Sequence, residues 1–201
     1  MNPFSGKFAV WTNAEIQKFE DCWAVGTKQR LVFGLALYAG LRCSELLNLG
    51  PEDLHDDFLS VDRGKGLHKS WIPIVAALKA ILDATPLGKV KIITTDNGRP
   101  MTPALLGVCF REACVRAGVA KRVLGLRRIF AMSLWEAGAT EAEICALLGY
   151  RKNLSAHCLE VAFNHKKLRL LLEVLWKKRA DDLRRDDRSK DDDDDLPPAG
   201  Q

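Results

Sequence analysis

Apolar residues recur at helical spacing along most of the chain and alternate as in a strand at only two places. Trp11-Thr12-Asn13-Ala14-Glu15 predicts a helix start, with Thr12 as N-cap and Glu15 at the capping-box position; Gly26 stops that helix after Val25. Thr27 caps a second helix, whose Leu31, Phe33, Leu35, Leu37 and Tyr38 make it apolar enough to be buried, and Gly40 breaks it. A short helix is expected over 41–47, ending at Leu49-Gly50-Pro51. Strands are expected over 58–61 and 70–74, around the turn Asp62-Arg63-Gly64-Lys65-Gly66. A helix over 76–84 and a β-type run over 90–95 follow, then the turn Asn97-Gly98-Arg99-Pro100. Thr102-Pro103 opens another helix with Pro in its first turn, running to Ala117-Gly118. Beyond Val123, Leu126, Ile129, Phe130, Ser133 and Leu134 form one helical face, with Arg127 and Arg128 beside it. After a break at 136–139, Thr140 and Glu143 have capping-box spacing, and Ile144, Leu147 and Leu148 lead to a Gly149-Tyr150 corner. The last element is KKLRLLLEVLWKKR, from Lys166 to Arg179, with a leucine stripe on a basic helix. The predicted class is mainly α with a small β-sheet (α+β).

Composition adds a charge asymmetry. The chain has 201 residues and a formal charge of +4. Residues 181–201 hold nine Asp against four Lys and Arg, a net of −5, which leaves +9 on residues 1–180. A body that basic points to an anionic partner, nucleic acid first. The expected organisation is a lead-in over 1–10, one domain over 11–180 and a disordered acidic tail over 181–201, which either solubilises the chain or folds back over the basic face. No apolar run is long enough for a membrane span, and the N-terminus lacks a signal-peptide pattern. The six Cys show no CxxC pair and read as reduced core residues, so no metal site and no cofactor are expected. The expected location is cytoplasmic, bacterial-type and nucleoid-associated.

Four short motifs then stand in order. Ala39-Gly40-Leu41-Arg42-Cys43-Ser44-Glu45-Leu46 resembles the first arginine box of tyrosine recombinases, the phage-integrase family. The strand–turn–strand carrying Lys65, followed by Ile72-Pro73-Ile74, resembles that family's β-hairpin lysine. Gly125-Leu126-Arg127-Arg128 resembles its His-x-x-Arg box, and Leu147-Leu148-Gly149-Tyr150 its Leu-Gly-His box. The resemblance covers about 11–178 and implies a tyrosine-recombinase catalytic-domain-like fold that binds double-stranded DNA. It makes Arg42 and Arg127 phosphate ligands, Lys65 the general acid at the leaving 5′ oxygen, and Glu45 a support for the local network. Arg128 and Arg151 extend the phosphate contacts; Lys152, Lys166 and Lys167 extend the basic face.

The pattern departs from the family at three positions. Leu124 stands where the first histidine belongs, and leucine can hydrogen-bond nothing. Tyr150 stands in the second histidine slot and keeps one donor. The nucleophilic tyrosine lies nine residues after that slot, and residue 159 is Leu159. Without the nucleophile no covalent phosphotyrosine forms. The resemblance also implies an N-terminal core-binding domain that the ten residues before Trp11 cannot supply, so weaker and more salt-dependent DNA contact is expected. The leading expectation is therefore a DNA-binding, cleavage-inactive accessory or regulatory factor in recombination or integration. Two alternatives stand beside it: a protein-interaction module that binds an active recombinase or other partner without DNA, and a residual recombinase given a tyrosine in trans. The 166–179 helix is expected either to contact a second copy or an active recombinase, or to pack on its own core.

Overall fold

The computed structural model describes residues 10–63, 69–149, and Leu172, Glu173 and Trp176. Seven α-helices and one two-stranded sheet are formed among the described residues: α1 (Asn13–Cys22), α2 (Lys28–Tyr38), α3 (Cys43–Asn48), β1 (Phe58–Asp62), β2 (Lys69–Pro73), α4 (Ala76–Ala84), α5 (Pro103–Arg116), α6 (Val123–Glu136) and α7 (Glu141–Leu148). This is the α+β class expected from the periodicity.

Local chemistry sets the boundaries. The Thr12 and Thr140 hydroxyls accept from the backbone N–H of Glu15 and Glu143 at 3.2 Å, and both glutamates return the bond to the cap residue, which completes two capping boxes. Thr27 caps α2 the same way, through Arg30 N–H. Pro103 sits in the first turn of α5, where a missing N–H costs nothing.

α2 is the spine of the core, buried from Leu31 through Tyr38 and packed between α6, α4 and α5. Phe19 of α1 stacks on Phe33 of α2 at 4.6 Å and on Phe110 of α5 at 5.5 Å, with Trp11 edge-on to Phe19 and Phe33. α4 comes so close to α2 that a methyl on Gly34 would lie 2.7 Å from the Ile81 Cδ1. β1 and β2 pair antiparallel from Phe58↔Pro73 to Asp62↔Lys69, burying Leu59, Val61 and Ile72.

Four details differ from the sequence expectation. α1 ends at Cys22 rather than Val25, and the helix after Gly40 starts at Cys43 rather than Leu41. No strand forms over 90–95: Ile92 and Ile93 are buried, but the Ile92 N–H goes to the Leu49 carbonyl, and the run makes only an isolated bridge, Thr94↔Pro100. β propensity there reports burial without a partner strand. Cys43 is exposed, whereas Cys114 and Cys145 are buried as expected of small core residues. The 166–179 helix, the acidic tail and the 1–9 lead-in lie outside the described residues, save Leu172, Glu173 and Trp176. These three are helical; Leu172 is fully buried, and Trp176 meets Tyr38 edge-on at 4.5 Å.

Candidate functional site

The site begins at the corner after α2. Gly40 has φ +63, and a methyl there would come within 2.5 Å of the Phe130 ring, so a residue with a side chain fits neither the backbone nor the space. The turn delivers Arg42 to the N-cap of α3. Glu45, three residues on, takes the Arg42 backbone N–H on Oε2 at 2.8 Å and the Arg42 guanidinium on Oε1 at 3.0 Å. The other nitrogen of that guanidinium donates to the Leu148 and Gly149 carbonyls, at 3.1 and 2.9 Å. Arg42 is thus fixed between the first helix turn of α3 and the end of α7, with its side chain 34% exposed.

Two further guanidiniums converge on the same carboxylate. Arg127, on α6, donates to Glu45 Oε2 at 3.3 Å and to the Gly40 and Leu148 carbonyls. Its side chain is 1% exposed, so it is a buried cation and not the helix-flanking arginine that its sequence position suggested. Arg63, at the end of β1, donates to Glu45 Oε2 at 2.7 Å and through Nε to the Ser70 hydroxyl at 3.2 Å. Burial pushes the Arg63 guanidinium down to about 10, with Glu45 opposing that shift and Arg127 and Arg42 adding to it. The Nη2 of Arg63 is buried and finds no acceptor among the described residues.

Three guanidiniums converge on one carboxylate, and two of them, on Arg63 and Arg127, are almost fully buried. Such a centre favours an incoming anion, because desolvated charge interacts more strongly than charge in water. Gly149 closes it: the residue is in the left-handed region at φ +62 and lies against the Arg63 aliphatic stem, where a methyl would sit 3.0 Å from Cβ.

Arg42, Glu45 and Arg127, three of the residues singled out from the sequence, are therefore brought into one network. Arg128 follows on α6 and is half-buried, and Leu124, one turn before Arg127, is 51% exposed. Lys65, Tyr150, Arg151 and Leu159 lie outside the described residues, although the paired strand ends Asp62 and Lys69 flank the Lys65 turn. Arg63 was missed in the motif reading. The signal for it was present: Leu59, Val61 and Arg63 share one face at a period of two, which points an arginine inward and demands a carboxylate. No cluster of potential metal ligands occurs among the described residues.

The model of the family described as "Phage integrase family" matches residues 12–157. The chain belongs to the phage integrase family. A tyrosine recombinase of Thermosipho africanus is 33% identical over 137 residues, which cover 64% of this chain and 47% of that protein. The chain spans about half the length of the curated relatives it matches. Among solved structures, the integrase of mycobacterium phage Brujita shares the fold with a TM-score of 0.67 at 18% identity, over 85% of this chain and 59% of the other. The lambda integrase catalytic core has a TM-score of 0.57 at 25% identity, over 71% of this chain and 95% of that core. This phage integrase family member thus has the catalytic-core fold, with Arg42 bonded both to Glu45 and to the Leu148 and Gly149 carbonyls.

Proposed function

We propose that this chain is a DNA-binding member of the phage integrase family that grips duplex phosphate without cutting the strand. It serves as an accessory or regulatory factor in recombination or integration. The observation that carries the reading is the Glu45 centre, with three guanidiniums on one carboxylate and a half-buried Arg42 at its rim. In this reading Arg42 makes the direct phosphate contact, since it alone of the three reaches solvent. Arg127 and Arg63 supply buried positive field, and Lys65, Arg128, Tyr150 and Arg151 complete the phosphate contacts. Lambda integrase has been solved as a dimer bound to a core site and as a tetramer on a Holliday junction, which supports duplex DNA and self-association as this chain's partners too. The leucines at 124 and 159 support the absence of cleavage: neither can move a proton or attack phosphorus. Location in the cytoplasm beside the nucleoid accords with this role.

The test is binding of a fluorescent duplex across a salt series by the full chain and by Arg42→Ala. The reading predicts affinity that falls steeply with salt and drops about tenfold or more in the variant, in line with loss of a charge-assisted contact. No binding at low salt, or equal binding by both proteins, overturns it.

A further inference from the structure

Exposed large hydrophobic side chains are few among the described residues, and Leu105, Val108, Val115 and Leu124 gather on α5 and the start of α6. Val108, Val115 and Leu124 line one groove between those helices, about 740 Å³ in volume, with Cys43 also in its wall. Arg111 and Arg122 line it as well and are exposed, and among the described residues no carboxylate does. A trough with an apolar floor and cationic edges fits a ligand that joins carboxylates to a short apolar stretch.

The chain carries such a stretch. Five aspartates at 191–195 run directly into Leu196-Pro197-Pro198. We propose that this acidic C-terminal segment docks in the α5–α6 groove, with its aspartates against Arg111 and Arg122 and Leu196 over Val108, Val115 and Leu124. The reach is sufficient. Trp176 is anchored on Tyr38 of α2, and the fifteen residues from there to Asp191 span up to about 50 Å when extended. A domain of this size is roughly 40 Å across. Proline limits the conformational freedom lost on docking. The groove borders the phosphate site, because Cys43 follows Arg42 and Leu124 lies one turn before Arg127. A docked tail is therefore a competitor of duplex DNA and sets a threshold for binding. Docking itself is independent of the DNA reading.

The experiment is an intramolecular cross-link in the full chain without DNA. Leu196→p-benzoylphenylalanine is irradiated, and the products are mapped by mass spectrometry. The expected adducts fall on monomer, in peptides covering 103–124. Their yield drops at least about fivefold in 0.5 M salt, where the screening length is only a few ångströms. It drops equally when Asp191 through Asp195 are all changed to Asn, and in Arg111→Glu/Arg122→Glu. The affected arginines are on the surface, so circular dichroism should report an unchanged fold. Adducts scattered over the chain, adducts only between molecules, or a yield indifferent to both sets of substitutions overturn the proposal. None of these outcomes alters the expectation for Arg42 and duplex DNA.

Discussion

Glu45 accepts from three guanidiniums at once, and this single carboxylate decides the electrostatics of the site. Glu45→Gln preserves shape and removes the carboxylate that Arg42, Arg63 and Arg127 share. Breaking a buried ion pair by removing one partner costs about 3–5 kcal/mol, and a loss of that size is expected in urea unfolding of the variant. Arg63→Met should cost less than half as much. Glu45 keeps two cations, and the like-charge pressure that Arg127 and Arg42 exert on Arg63 disappears. Equal losses for the two variants would mean that Arg63 alone holds Glu45. The contrast also explains what the sequence conveyed at this scale. Arg42 and Glu45 are three residues apart, so their pairing is local and legible. Arg63 and Arg127 reach the same carboxylate from 18 and 82 positions away, and only the packing of the hairpin and α6 brings them in.

Elements were legible where a boundary is fixed by nearby side chains. The Thr12–Glu15 and Thr140–Glu143 boxes, the Thr27 cap, Pro103 and the hairpin all formed where their residues predicted. The 90–95 run failed because a strand needs a partner, and its neighbour in space is the loop after α3. The corner at the end of α7 shows how an element boundary serves the site. Gly149 adopts the left-handed conformation so that its carbonyl meets Arg42 and its Cα clears Arg63. Gly149→Ala should lose about 1–2 kcal/mol from the left-handed backbone alone, with more from the contact with Arg63. It should also weaken duplex binding, because it displaces Arg42. Thermal unfolding together with the duplex titration checks both effects; a variant as stable as the parent would contradict the assigned role of this corner. Thr140→Ala serves as the comparison. It removes an exposed cap, should cost about 1 kcal/mol in the same unfolding assay, and should leave duplex affinity unchanged.

Across the whole molecule, we propose that a catalytic-core fold is combined with residues that do not suit strand cleavage. Buried apolar surface and the Glu45 centre keep the architecture, whereas chemistry depends on a few side chains that packing does not demand. Leu124 is exposed, so Leu124→His should be tolerated by the fold. Combining it with Tyr150→His and Leu159→Tyr supplies the three groups that the resemblance to the family motif calls for at these positions. The account predicts that this triple variant gains a phenolic nucleophile and a measurable trace of covalent DNA adduct, while each single change yields none, because groups acting as a unit are strongly non-additive. The most direct measurement runs the parent chain on one sample of labelled, nicked duplex, read first on a native gel and then after denaturation in detergent. The account predicts a retained complex on the native gel, weakened by Arg42→Ala, and no label on denatured protein. Label that survives denaturation would contradict it, by showing that this chain still attacks the phosphate to which we assign only binding.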